Sequence, residues 1–279
     1  MLKINIAKSS GFCFGVKRAI DISNKLCEQK GNVRVLGDIV HNSFVVRDLE
    51  KKGIKRIRYI KKTKNTNLII SSHGAPKEVF SKARKCGYTV TDATCPKVKN
   101  IYRIAQRLEK NNKIIIIGDS GHDEVKGIAG QLKNRPITLE KPSDVSHNIF
   151  SGIKKAAIIT QSTQDTDNIF KITERIQKII PEAKLYNTTC GTTVIKQNEI
   201  RTLPKENDIV LIIGSRTSAN TKRLYQISRG INKNTYWIES DKDLKKTWFK
   251  RAKRVGIMAG ASTPDLITKA IAETLKTYQ

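Results

Sequence analysis

Short apolar runs recur along the chain and alternate with segments of helical periodicity. The runs are rich in isoleucine and valine, are bounded by glycine or serine, and cover residues 67–70, 113–117, 156–160, 209–213 and 255–258. Near-continuous hydrophobicity over this length is typical of strands buried on both faces of a parallel sheet. Residues 98–108 instead place their apolar side chains at helical spacing. The alternation predicts an α/β fold built from βα units.

Polar loops of similar composition follow these runs. They read SSHGAPKEV from Ser71, GDSGHDEV from Gly118, TQSTQDTD from Thr160, GSRTSANTKR from Gly214 and AGASTPD from Ala259. In a parallel sheet, ligands gather at the C-terminal strand ends, where helix N-termini offer N–H groups that suit phosphate. Ordinary helix capping explains any single loop, because serine, threonine and asparagine are preferred caps. Five loops of one character favour a shared anionic ligand.

Three of the five cysteines, Cys13, Cys95 and Cys190, each precede a predicted helix and lie close to a third of the chain apart. A helix N-terminus lowers the pKa of a thiol, and thiolates bind soft metals and iron–sulfur clusters. Three ligands on a four-iron cluster would leave one iron open to substrate. The alternative is three buried cysteines with no shared role. We interpret Cys27 and Cys86 as structural.

The net charge is +28, from 53 basic and 25 acidic residues. The basic residues are scattered, and aromatic residues are only 6% of the chain, so specific nucleic-acid binding is not indicated. A bias toward lysine, isoleucine and asparagine explains the size of the charge, while its field would attract phosphorylated substrates or an acidic protein. The apolar runs are too short to span a membrane, and the polar start does not resemble a signal peptide. We expect a cytoplasmic protein without a membrane partner.

Histidines and one glutamate add candidate chemistry. His41, His73 and His122 lie in polar turns, where imidazoles can donate hydrogen bonds to phosphate or bind a metal. Glu124 follows His122 by two residues and could act as a general acid if burial raised its pKa. On spacing alone, a first-turn glutamate that favours the helix dipole is the better interpretation of Glu124.

Nine ordered motifs resemble the LytB/IspH family of 4-hydroxy-3-methylbut-2-enyl diphosphate reductases. They are GFCFGV at Gly11, VHN at Val40, SHG at Ser72, DATCP at Asp92, GHDEV at Gly121, QST at Gln161, Cys190 with Thr193, SAN at Ser218, and GASTPD at Gly260. The family resemblance implies two-electron removal of the allylic hydroxyl of that diphosphate, giving isopentenyl and dimethylallyl diphosphate. This is the last step of the non-mevalonate isoprenoid pathway.

The same resemblance implies three α/β lobes, with small and mostly parallel sheets, around a central 4Fe–4S cluster. The lobes would be residues 1–95 with Cys13 and Cys95, residues 96–189 with His122 and Glu124, and residues 190–279 with Cys190 and the serine and asparagine loops. The three cysteines would be the cluster ligands, one iron would stay open, and Glu124 would donate a proton. The implied substrate contacts are His41, His73, His122, Ser162, Thr193, Ser218, Asn220 and Ser262. Electrons would come from an acidic ferredoxin or flavodoxin.

The chain departs from the family pattern at three positions and leaves two rival functions open. Ala219 replaces a usual serine, Ser162 a usual threonine, and Asp123 a usual proline. One rival is a mononuclear zinc enzyme that hydrolyses a phosphorylated substrate, although the sequence lacks a short-spaced pair of zinc ligands. The other is a basic nucleic-acid-binding protein, whose binding would be tight at physiological salt.

Overall fold

Strands and helices alternate through the computed structural model, which describes residues 2–29 and 31–278. Within those residues, twelve strands form three four-stranded sheets in which neighbouring strands run parallel. The predicted α/β class and small parallel sheets are confirmed. Among the described residues, no helix combines the length and apolarity needed to cross a membrane.

The N-terminal elements build one sheet and contribute a strand to another. They are β1 (Lys3–Ile6), α1 (Phe14–Glu28), β2 (Asn32–Leu36), α2 (Ser43–Lys51), β3 (Lys55–Ile57), β4 (Thr66–Ile70), α3 (Lys77–Lys85) and β5 (Tyr88–Asp92). Strands β2 to β5 pair in the order β3-β2-β4-β5, which we call the first sheet.

The remaining elements build two further sheets. They are α4 (Pro96–Leu108), β6 (Lys113–Ile117), α5 (Asp123–Ala129), β7 (Ile137–Leu139), β8 (Ala156–Thr160), α6 (Thr166–Ile179), β9 (Lys184–Tyr186), α7 (Gly191–Glu206), β10 (Ile209–Ile213), α8 (Ala219–Ile231), β11 (Thr235–Ile238), β12 (Arg254–Ala259) and α9 (Asp265–Lys276). The second sheet has the order β7-β6-β8-β9, and the third has the order β1-β12-β10-β11.

The chain divides into two compact units. The first unit comprises Met1–Lys17, Val40–Arg47 and Gly191–Gln279, and the second comprises Arg18–Ile39 and Asp48–Cys190. The third sheet belongs to the first unit, and the other two sheets belong to the second unit. The predicted lobe boundaries at residues 95 and 189 stay a prediction.

The apolar runs are continuous because both faces of the sheets are covered. In the second sheet, Ile114 and Ile116 pack with α4 and α5, whereas Ile115 and Ile117 pack with α6. Burying an isoleucine side chain contributes about 1.5–3 kcal/mol, so these strands form stable cores from few residues. The cores hold the C-terminal strand ends firmly, and those ends carry the candidate site.

Candidate active site

Each predicted ligand cysteine is held in the same way by a neighbouring strand end. Cys13 directly precedes α1, Cys95 precedes α4 and Cys190 precedes α7. In each four-stranded sheet, one of the two central strands is followed, two residues after its end, by a carbonyl that accepts the cysteine N–H. This strand is β12 for Cys13, β4 for Cys95 and β8 for Cys190. The donor–acceptor pairs, at N–O distances of 2.9–3.0 Å, are Cys13 with Ala261, Cys95 with Ser72, and Cys190 with Ser162. Each sheet therefore presents one cysteine through the same strand–loop–helix arrangement.

A second repeat follows the other inner strand of each sheet. Strands β2, β6 and β10 each precede a glycine (Gly37, Gly118 or Gly214) whose N–H donates to the last residue of the next strand in the sheet, at 2.9–3.0 Å. His41, His122 and Ser218 stand four residues after these glycines, and Glu124 and Asn220 stand six residues after two of them. The spacing is visible in the sequence, but it identifies equivalent positions only once the strand ends are known.

Glu124 is buried and fully engaged by one neighbour. It is 2% exposed, and it lies in the first turn of α5 behind the exposed Asp123. The Ser162 N–H donates to Oε1 at 2.6 Å, and the Ser162 hydroxyl donates to Oε2 at 2.7 Å. Burial raises the pKa of Glu124, and the two bonds from Ser162 oppose that rise only in part. The carboxyl group is therefore suited to holding a proton, as a general acid must.

The imidazole of His122 is oriented by the backbone of Glu124. The Glu124 N–H donates to Nδ1 of His122 at 3.1 Å, so a neutral His122 carries its hydrogen on Nε2. The His73 ring stands edge-on to the His122 ring, with centroids 5.4 Å apart. Tyr102 of α4 donates from its hydroxyl to the His73 carbonyl at 3.5 Å. A side chain at Gly127 of α5 would collide with that hydroxyl, so a glycine there lets α5 approach α4.

In the first unit, the predicted diphosphate-binding residues Ser218 and Asn220 follow β10, Ser262 follows β12, and His41 lies in the segment Val40–Arg47. Ser218 caps α8 by accepting the Thr221 N–H at 3.3 Å. Ser262 donates from its hydroxyl to the His41 carbonyl at 2.9 Å. The Nδ2 group of Asn220 is buried and has no hydrogen-bond partner among the described residues. A buried N–H donor of this kind suits an anionic oxygen, because leaving it unpaired is costly.

The remaining predicted residues also lie in buried positions. Thr193 stands in α7 and is buried, and Ala219 is buried at the start of α8, where it offers no hydroxyl. In the second unit, the structure brings Glu124, Ser162 and Cys190 into one hydrogen-bonded group. The assignment of each residue to substrate or cluster stays a prediction.

The chemistry of the three thiols fits a soft inorganic group. Within the described residues, none of the cysteines forms a disulfide. The sulfur of Cys13 accepts the Val16 N–H from the first turn of α1 at 3.5 Å. Burial instead raises the pKa of Cys27, which agrees with its structural interpretation. Cysteine thiolates are the usual protein ligands of iron–sulfur clusters.

Comparison with known proteins identifies the family. The chain matches the LytB protein family over residues 4–276. A relative from Aquifex aeolicus (strain VF5), named 4-hydroxy-3-methylbut-2-enyl diphosphate reductase, is 37% identical over 276 residues, which cover 97% of this chain and 95% of the relative.

Two solved structures are similar over nearly the whole chain. One is (E)-4-hydroxy-3-methyl-but-2-enyl diphosphate reductase, the terminal enzyme of the non-mevalonate pathway, at 36% identity and a TM-score of 0.71, covering 99% of this chain and 100% of the other. The second is E-1-hydroxy-2-methyl-but-2-enyl-4-diphosphate reductase from Plasmodium falciparum, at 26% identity and a TM-score of 0.90, covering 99% and 88%. Because the family match extends over residues 4–276 and the Aquifex aeolicus relative is 37% identical over 97% of this chain, the chain belongs to the LytB protein family.

Proposed function

We propose that this protein is a 4-hydroxy-3-methylbut-2-enyl diphosphate reductase. It removes the allylic hydroxyl of its substrate as water, using two electrons and two protons, and yields isopentenyl and dimethylallyl diphosphate. The buried Glu124–Ser162 pair carries this proposal. The Ser162 carbonyl accepts the N–H of Cys190, a predicted cluster ligand. The proposed proton donor, Glu124, therefore bonds to the same residue that anchors Cys190.

The proposed cofactor is a 4Fe–4S cluster held by Cys13, Cys95 and Cys190, with one iron open. When bound, such a cluster supplies electrons singly, and its open iron acts as a Lewis acid toward the substrate hydroxyl. The chain's part is to hold one cysteine directly before each of α1, α4 and α7, so that three sulfurs would be offered to the cluster.

Protonation of the leaving hydroxyl falls to Glu124. The Ser162 hydroxyl contacts the Glu124 carboxyl at 2.7 Å and can donate its own hydrogen outward while accepting one from the acid. A proton held on Glu124 can therefore reach the substrate oxygen through Ser162 as that oxygen departs. Because Ser162 keeps the hydroxyl of the usual threonine, the substitution preserves this route.

The diphosphate is proposed to bind neutral donors. His41, His73, His122, Ser218, Asn220 and Ser262 would bind its oxygens, and Thr193 would contact the substrate. Hydrogen bonds to a charged group are stronger than those between neutral groups, so a set of fixed donors can hold a diphosphate without lysine or arginine. The unpaired Asn220 amide supports this assignment. The proposal also retains the three lobes (1–95, 96–189 and 190–279) and the cytoplasmic location.

Anaerobic turnover tests the proposed function. The protein, purified without oxygen, is incubated with the diphosphate substrate and a reduced viologen, and the products are separated by chromatography. We expect both five-carbon diphosphates to form, and iron and sulfide to accompany the protein. A colourless protein with stoichiometric zinc and hydrolytic activity would favour the rival zinc enzyme.

The high positive charge predicts how a protein electron donor is received. With a net charge of +28, the chain should attract an acidic ferredoxin or flavodoxin over long distances. We expect the rate of reduction by such a donor to fall several-fold as salt rises from about 20 to about 200 mM, because screening shortens the range of that attraction. Stopped-flow absorbance measures the rate. Reduced methyl viologen, a small cation, serves as the control and should show no such fall; an equal salt response for both donors would contradict the prediction.

A further inference from the structure

A fully buried lysine that the proposed reaction does not use lies in α7. Lys196 is 1% exposed, whereas its neighbour Ile195 is 60% exposed. This is the reverse of the usual pattern, in which isoleucine is buried and lysine is exposed to solvent. Lysine is almost never fully buried unless its ammonium is satisfied, since removing a charge from water is costly. An inversion of this kind points to a specific role for the ammonium group.

The contacts of Lys196 converge on the backbone that holds Cys13. Its Nζ donates to the carbonyls of Ser9 and Ala259. Ser9 lies in the segment that leads from β1 to Cys13. Ala259 ends β12, two residues before the carbonyl of Ala261 that accepts the Cys13 N–H. Lys196 therefore joins both backbone segments that position this cysteine.

Glu199, one turn further along α7, also binds the segment that leads from β1 to Cys13. Its carboxylate accepts the N–H groups of Lys8 and Ser9 at 2.5 and 2.9 Å, and the Ser9 hydroxyl at 2.5 Å. These bonds lower the pKa of Glu199, which is therefore ionised. The carboxylate bonds to the backbone of the loop, whereas the Lys196 ammonium bonds, among the described residues, to the neutral carbonyls of Ser9 and Ala259.

The charge of Lys196 acts directly on Cys13. Burial lowers the pKa of Lys196 to about 8, while the negative charges of Cys13, Glu199 and Asp265 oppose that fall. An ammonium held by the carbonyls of Ser9 and Ala259, in the two segments that position Cys13, lies close enough to Cys13 for their charges to interact. A fixed cation beside an iron–sulfur ligand favours the reduced cluster, because net charge is one of the terms that set the reduction potential.

We propose that Lys196 is a positioning residue that orders the Ser9–Cys13 segment and raises the reduction potential of the cluster that Cys13 holds. This inference rests on the proposed cluster. Lys196 is proposed to touch neither the substrate nor the reacting atoms and to act through Cys13.

Redox titration of Lys196 variants, followed by electron paramagnetic resonance, tests the proposal. Lys196→Met removes the charge at similar length, Lys196→Gln removes the charge but keeps an N–H donor, and Lys196→Arg keeps the charge. Lys205→Met removes an exposed charge from the last turn of the same helix and is the matched control. We expect a more negative midpoint potential in the methionine and glutamine variants, and near-wild-type potentials in the arginine variant and the control.

The iron and sulfide content of each purified variant is also measured, so that the test still gives a result when a variant binds too little cluster for a redox titration. Loss of the cluster in Lys196→Met and Lys196→Gln, with retention in Lys196→Arg, also supports the proposal. An unchanged potential in cluster-loaded Lys196→Met, or equal loss of the cluster in all three variants, overturns it while leaving the proposed function intact. A wild-type protein that binds no cluster overturns the proposed function and this inference together.

Discussion

Cys95→Ser is expected to lose most of its iron and sulfide and nearly all reductase activity. A serine hydroxyl stays protonated at neutral pH and is a much weaker ligand for cluster iron than a thiolate. Substitutions in the surroundings of metal ligands already cost about 10–100-fold, so losing a direct ligand should lower turnover by about 100-fold or more. The backbone bond from residue 95 to Ser72 is retained in this variant, which separates loss of the ligand from loss of the fold.

Cys86→Ser is the matched control for this substitution. Cys86 is also half-buried, lies in the same unit and directly follows α3 as its C-cap residue. We expect this variant to keep its iron, sulfide and turnover. Normal turnover by Cys95→Ser would contradict cluster ligation, as would an equal loss in both variants.

Glu124→Gln is expected to keep the cluster and lower turnover by about 10²–10⁴-fold, the usual contribution of a general acid. Glutamine has the shape of glutamic acid and can accept the Ser162 N–H, but it has no acidic proton to transfer. Glu78→Gln is the control, because Glu78 is an exposed glutamate in the first turn of α3. Steady-state rates and iron content are compared. If Glu124→Gln turns over normally, another group supplies the proton.

Glu124→Gln is also expected to change how the free energy of unfolding depends on pH, which can be measured without any catalysis. Since the folded-state pKa of Glu124 is raised above its ordinary value of 4.5, its stabilising contribution is complete below that value. It is lost as pH rises through the folded-state pKa, where a buried charge must form. We therefore expect the free energy of unfolding of the wild type to fall more steeply with rising pH than that of Glu124→Gln. Parallel pH profiles would contradict the burial argument.

Local patterns predicted much of the fold because they determine it directly. The apolar run at residues 113–117 became β6, and the run at 156–160 became β8, with the same bounds. The order of strands within each sheet was not predictable in this way. Strand β1 pairs with β12 across most of the chain, and nothing in its four residues specifies so distant a partner.

The candidate site was predictable as residue types but not as contacts. Motif resemblance selected Glu124, although its spacing alone favoured a simple dipole role. The Glu124–Ser162 pair decides its chemistry, and that pair joins two residues that are 38 positions apart in the sequence. Lys196 escaped prediction because a lysine beside an isoleucine is expected to be the exposed member of the pair. Burial by surrounding backbone, which no local pattern encodes, reverses that expectation.

Mössbauer spectroscopy of anaerobically purified, iron-57-labelled protein tests the three-cysteine cluster most directly. We expect four irons and four sulfides per chain, with one iron distinguishable from the other three when the diphosphate substrate is added. One zinc ion per chain, or four irons that remain equivalent with substrate present, would contradict it.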